Sequence, residues 1–274
     1  MVNSAEKLER TLVFSQRDFD RFAALSGDDN PIHVDPTFAA RTRFGRTVAH
    51  GMFLTSHVAV ALNRYAPRAG LLSQEMMFTA PTFADEEVTL RLEMAEYDAP
   101  SGVAVIATTF TNPDGSFGLQ GKALLNMTCG DVIMPSQKPT INEVDVEHKG
   151  MVVGVSAEIT RTFTRADLAE YADLLGCHTP KSVPGGLLGG MFSDLLGTTL
   201  PGRGTNWLKQ SLRFSAEAPV DQPITANVTV TRLRPDKELV NLRTACTLAN
   251  GLTVCGGDAL VYVRDLEQDY KAEV

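Results

Sequence analysis

Asp28 and His33 lie five positions apart in the segment Gly27-Asp28-Asp29-Asn30-Pro31-Ile32-His33-Val34-Asp35-Pro36. Pro31 and Pro36 interrupt any single helix through it, and Asp and Asn side chains bond to nearby backbone. The stretch is therefore a rigid turn that can aim a carboxylate and an imidazole at one point. Such a pair can orient a water, take its proton and return one, because two different environments separate the two acidities. Asn30 adds an amide that can fix that water. On residue types alone, a turn made of helix caps accounts for the same string equally well.

The next chemical signal is Ala49-His50-Gly51-Met52, which opens a strongly apolar helix. Unpaired N–H groups at a helix start suit a developing negative charge, and a glycine admits close approach. Gly27-Asp28-x-Asn30-Pro31-Ile32-His33-x-Asp35-Pro36, then Phe38-Ala39 and Ala49-His50-Gly51-Met52, resembles the signature of the MaoC-like dehydratases, which include the (R)-specific enoyl-CoA hydratases. The resemblance implies that Asp28 and His33 hold and activate water, with Asn30 beside them and the Gly51 N–H as donor to the thioester oxygen. It implies syn addition and an (R)-3-hydroxyacyl thioester. Met52 and Arg46 are the expected substrate contacts; His50 is a candidate contact too, with bracing of the turn its preferred role. His57, inside the apolar helix, reads as a core histidine.

Composition narrows the class. The chain has 274 residues, 43% of them hydrophobic, and a net charge of −8. That is ample for a packed core and disfavours a general nucleic-acid binder. Met1 to Arg10 contain no apolar run of signal length, and no stretch reaches the roughly 18 apolar residues of a membrane span. A soluble, cytoplasmic protein without membrane insertion is expected. Cys129, Cys177, Cys246 and Cys255 are scattered without metal-ligand spacing, so free thiols and no metal site are expected. No nucleotide-binding glycine fingerprint occurs, and no organic cofactor is expected.

Periodicity supplies the elements that hold the turn. Thr11 to Phe14 reads as a strand. Ser15 is a plausible N-cap for a helix whose buried face is Phe19, Phe22, Ala23 and Leu25 and which Gly27 stops. Thr37 to Arg41 forms a helical turn. Met52 to Tyr65 is apolar nearly all round and therefore a buried helix. Strands follow over Ser73 to Phe83, Glu87 to Tyr97, Val103 to Thr111 and Gly118 to Thr128. The pattern gives an α+β fold with an antiparallel sheet; the hotdog, a sheet wrapped around one helix, is what the resemblance implies.

Beyond a linker the chain repeats itself. Phe163 to Gly176 matches Phe14 to Gly27 at an offset of 149, and Arg213-Phe214-Ser215-Ala216 echoes Met77-Phe78-Thr79-Ala80 at an offset of 136. Strands recur at Ile224 to Leu233, Leu239 to Leu248 and Leu252 to Val263. The expected organisation is a double hotdog: residues 1–130 with the intact motif, 131–150 a linker, and 151–274 a degenerate copy. In the copy Cys177 stands for Asp28, Thr179 for Asn30 and Ser182 for His33, so it lacks the acid/base pair. His178 matches Asp29 and reads as a surface or packing residue. Gly185, Gly186, Gly189 and Gly190 weaken the second central helix; they either give an acyl chain room or let two helices pack closely. Many two-hotdog hydratases carry the intact motif in the C-terminal half, whereas here it is N-terminal.

Three functions fit this sequence. One is a hydratase or dehydratase acting on a CoA or acyl-carrier thioester. The second is a hotdog thioesterase, and the third a non-catalytic acyl-thioester binding subunit. Arg41, Arg43, Arg46, Arg64 and Arg68 are cations near the turn that could meet phosphates. Either a monomer or a homodimer fits, because the second half can supply the partner that a single hotdog needs.

Overall fold

Two helices begin on the same device and end on the same device. In α1 (Gln16–Ser26) the Ser15 side chain accepts from the Asp18 N–H, and the Ser15 N–H donates to the Asp18 carboxylate at 2.8 Å. In α5 (Arg165–Leu175) Thr164 and Asp167 repeat that box. Gly27 and Gly176 stop the two helices in the left-handed conformation, with φ of 85° and 60°, which costs a glycine little. The repeat read from sequence thus extends to the capping chemistry.

The computed structural model describes residues 7–128, 146–268 and 270–271. Residues 131–145 of the expected linker, and Cys129, lie outside the described residues. The other three cysteines are free thiols. Among the described residues, no helix is long and apolar enough to cross a membrane.

One half supplies β1 (Lys7–Val13), β2 (Gly70–Met77), β3 (Glu87–Asp98), β4 (Val103–Thr111) and β5 (Phe117–Asn126). The other supplies β6 (Ser156–Thr162), β7 (Asn206–Phe214), β8 (Pro223–Arg234), β9 (Leu239–Leu248) and β10 (Thr253–Tyr262). They form one antiparallel sheet in the order β1-β3-β4-β5-β2-β7-β10-β9-β8-β6. That order reads the same from either edge once each strand is exchanged for its counterpart. At the centre, β2 pairs with β7 and Glu75 faces Ser211, two positions that correspond at the offset of 136. This is the α+β double hotdog.

β2 ends earlier than Ser73 to Phe83 suggests. After Met77 the chain leaves the ladder, and Thr82 accepts from the Ala49 N–H at 2.8 Å while Phe83 bridges to Val48. The apolar run therefore braces the start of a helix instead of prolonging a strand. Strand β6 escaped the sequence reading because SAEITRT has every second residue exposed and few apolar side chains.

The central helices are α4 (Gly51–Tyr65) and α6 (Gly185–Asp194), and an irregular wide turn, Leu195–Thr199, continues α6. The glycines of α6 serve helix packing. A Cβ on Gly189 would lie 2.2 Å from the Met52 sulfur, one on Gly190 2.6 Å from the Ser26 Cβ, and one on Gly186 2.0 Å from the Ser56 hydroxyl. Phe19 and Phe22 of α1 pack on Phe53 of α4, with ring centroids 6.0 and 5.4 Å apart, and all three are buried, each burial contributing roughly 1.5–3 kcal/mol.

Candidate active site

The turn is built from caps. After Gly27 the chain buries Asp28, which is 1% exposed. Asn30 caps α2 (Pro31–Val34), its side-chain oxygen accepting from the Ile32 N–H at 3.3 Å. Asp35 caps α3 (Pro36–Ala39), accepting from the Thr37 and Phe38 N–H groups. Each proline sits where a helix start needs no N–H donor. The caps that make this segment a turn also fix where Asp28 and His33 sit, so the cap account and the chemical account are compatible. Gln16, missed in the sequence, ties the parts together: its amide donates to the His33 carbonyl at 2.8 Å, and its oxygen accepts from the Thr47 hydroxyl.

His33 Nδ1–H donates to the Val48 carbonyl at 2.8 Å, since a carbonyl can only accept. The neutral ring then has its bare nitrogen at Nε2. That nitrogen lies 3.8 Å from Asp28 Oδ2, too far for a direct hydrogen bond and suited to a shared water. Asp28 Oδ2 accepts from the Ser193 hydroxyl of α6 at 2.5 Å, and its Oδ1 accepts from the Asn30 N–H at 3.3 Å. The second half, which lacks its own acid/base pair, thus contributes a donor to the first.

His50 stacks on His33 with ring centroids 3.8 Å apart and donates Nε2–H to the Asp28 carbonyl at 2.9 Å. Complete burial, reinforced by His33, pushes its pKa down to about 3 against the opposing pull of Asp28. It is a neutral brace behind the pair. Its Nδ1 has no hydrogen-bond partner among the described residues. Asp194, next to Ser193, is pushed up to about 6, chiefly by burial; the Thr198 hydroxyl opposes this and Asp28 adds to it.

A cavity of about 480 Å³ opens on Asp28, His33 and Gly51, with Phe78, Trp207 and Tyr262 among its aromatic walls. The Gly51 N–H begins α4 and has no acceptor among the described residues. A Cβ at Gly51 would lie 2.7 Å from the Phe78 ring. The glycine is thus required by the aromatic wall. Gly185 faces Phe214 in the same way in the second half.

The sequence-derived residues do not all meet at this cavity. Asp28, His33, Asn30 and Gly51 do. Asn30 spends its amide on the α2 cap and on the Gly197 carbonyl at 3.2 Å, which makes it an anchor to the second half. Met52 and Arg46 are corrected as substrate contacts, and His50 takes the bracing role. His50 is fully buried behind His33, and Met52 is fully buried against α6 at Gly189. Arg46 pairs with Glu86 at 2.5 Å, donates to the Ala84 carbonyl and lies over Phe83, away from the cavity. Arg43, Trp207, Tyr262 and Ser193 line the cavity instead. Ser193 carried no sequence signal, since it belongs to a helix whose own motif is lost.

Asp28, His33 and His50 offer ligand atoms within 4.8 Å of one another. A shared metal fits them poorly. A ring nitrogen binds a metal in its own plane, and these two rings lie 27° from parallel and 3.8 Å apart.

Comparison with known proteins gives the family. Residues 2–112 match the family model described as MaoC like domain. The (R)-specific enoyl-CoA hydratase of Aeromonas caviae is 34% identical over 124 residues, covering 44% of this chain and 92% of that one. Its counterpart from Rhodospirillum rubrum is 37% identical over 125 residues, covering 40% and 86%. A Mycobacterium tuberculosis protein described as a double hotdog superposes with a TM-score of 0.71 at 12% identity, over 95% of this chain and 97% of that one, a likeness of fold alone. The chain belongs to the MaoC-like dehydratase family, and its enzyme class is that of the hydro-lyases.

Proposed function

We propose that the protein interconverts a trans-2-enoyl thioester and the corresponding (R)-3-hydroxyacyl thioester. The observation that carries this reading is that Asp28, His33 and Gly51 line one cavity, with Asp28 Oδ2 3.8 Å from His33 Nε2. A water between the carboxylate and the imidazole loses its proton to Nε2, and its oxygen adds to the β carbon. Electron density moves to the thioester oxygen, which accepts from the Gly51 N–H at the positive end of α4. The proton returns from the same pair to the α carbon, so both additions occur on one face. Dehydration is the reverse path. General acid/base catalysis of this kind contributes roughly 10²–10⁴-fold. The reaction moves only water, so the chain's own residues suffice.

CoA or acyl-carrier thioesters are the substrate class, in keeping with the relatives' names. The test is the absorbance of the enoyl-thioester band with crotonyl-CoA and longer 2-enoyl-CoA substrates. Loss of the band without release of thiol supports hydration. Thiol release would move the assignment to a thioesterase.

A further inference from the structure

Arg43 lines the cavity with its side chain half exposed, marking a mouth where three segments converge: the loop holding Arg43 and Phe44, residues 203–205 ahead of β7, and the chain after β10. Arg43 Nη1 lies 3.5 Å from Asp265 Oδ2, and Arg264 Nε lies 3.5 Å from Asp265 Oδ1. Two guanidinium groups, one from each half of the chain, thus share one carboxylate. Each is also held by an aromatic ring: Arg43 is 4.7 Å from the Phe44 centroid and Arg264 is 5.3 Å from that of Tyr262. Phe44 and Tyr262 both line the cavity.

We propose that Arg43 and Arg264 recognise a phosphate of the thioester's carrier arm, with Asp265 as the internal anion that this phosphate displaces or joins. The proposal rests on the hydratase reading and names the part of the substrate that the catalytic pair does not touch. A pantetheine arm separates a thioester from its phosphates, so the phosphates belong at the mouth while the acyl group reaches Asp28.

The chemistry of the mouth fits that role. Guanidinium groups suit phosphate oxygens because their planar forks offer several N–H donors, and at 3.5 Å the shared carboxylate leaves donors uncommitted. All three charged side chains are between 44% and 63% exposed, and exposed ion pairs are weak enough to exchange. The backbone around Asp265 is fixed: a Cβ on Gly204 would lie 2.0 Å from the Asp265 carbonyl, and the Glu267 N–H donates to the Arg203 carbonyl. Arg46, by contrast, is already committed to Glu86 and Ala84. Among the described residues that line the cavity, Arg43 is the Lys or Arg side chain.

The test compares crotonyl-CoA, crotonyl-phosphopantetheine and crotonyl-pantetheine as substrates for wild type, Arg43→Ala, Arg264→Ala and Asp265→Asn. Loss of one charge-assisted contact should raise KM for the phosphorylated substrates about tenfold, leave kcat within about twofold, and leave crotonyl-pantetheine unaffected. Asp265→Asn should lower KM for the phosphorylated pair. Equal sensitivity of CoA and phosphopantetheine substrates assigns the site to the phosphate they share, and sensitivity of CoA alone assigns it to the nucleotide phosphates. Equal effects on pantetheine, or no change in KM, overturn the proposal. Calorimetry with adenosine 3′,5′-bisphosphate reads the site without turnover. Binding lost in the Arg43→Ala/Arg264→Ala double variant, with no thioester hydrated by wild type, would keep the phosphate site and reject the hydratase.

Discussion

The Ser193 hydroxyl donates to Asp28 Oδ2 at 2.5 Å, joining the half that lacks the motif to the half that has it. Asp28 is almost fully buried, so removing this donor leaves a carboxylate oxygen short of one partner. A hydrogen bond to a charged group is worth roughly 1.5–3 kcal/mol, or about 10–100-fold in rate if it is felt in the transition state. Ser193→Ala should lower kcat by that factor with little change in KM, and Ser193→Thr should recover part of the loss. Wild-type kcat in Ser193→Ala would show that α6 does not position Asp28.

Gly51 separates a steric role from a chemical one. Gly51→Ala keeps the N–H but drives a Cβ to 2.7 Å from the Phe78 ring. Overpacking of this kind costs typically 1–3 kcal/mol, and here it also displaces the helix start. Activity should fall about tenfold or more, and the double variant Gly51→Ala/Phe78→Ala should regain part of it. No recovery in a well-folded double variant would mean that Phe78 is not the reason for the glycine.

His57 predicts a pH dependence of stability. It lies in α4 beside Phe14 and Phe53, its Nε2 has no partner among the described residues, and burial, aided by Arg10 and Arg64 and opposed by Asp18, pushes its pKa down to about 4. The unfolded chain protonates it near 6.5. Between those values the unfolded state binds the extra proton, so stability is fully present above about 6.5 and lost as pH falls toward 4. A depression of this size corresponds to about 3 kcal/mol. Urea unfolding at pH 7 and pH 4.5 should show a smaller difference for His57→Phe than for wild type; an equal difference contradicts the burial account.

Two contacts between the halves should differ sharply in importance. Arg21 of α1 reaches Glu170 and Asp173 of α5, both at 2.6 Å, but these partners are exposed. Arg21→Ala should cost less than about 1 kcal/mol in chemical denaturation. Gly190→Val should cost roughly 1–3 kcal/mol or more, because its Cβ would meet Ser26, two residues before Asp28. The reverse order would place the adhesion of the halves in charge pairs rather than helix packing.

The fold was legible where local chemistry and tertiary context agree. The cap at Ser15, the stop at Gly27 and the apolar run of α4 all act within a few residues of themselves. That Asp28, His33 and Gly51 could share one place was legible, since two short segments carry them, and all three line one cavity. The site was not legible for Ser193, Trp207 and Tyr262, which reach the cavity through the pairing of β2 with β7 and the packing of α6, contacts between positions far apart in the chain. Met52 and Arg46 were misplaced for a related reason. Adjacency to a motif does not say which side of a helix or loop faces the cavity, and the glycines of α6 had already claimed Met52.

The most direct test of the central claim is the enoyl-thioester absorbance with crotonyl-CoA, measured for wild type, Asp28→Asn and His33→Gln, with free thiol followed in parallel. Wild type should consume the band without thiol release, and each variant should lose roughly 10²-fold or more in kcat while remaining folded. Undiminished turnover in either variant would contradict the assignment of Asp28 and His33 as the pair that activates water.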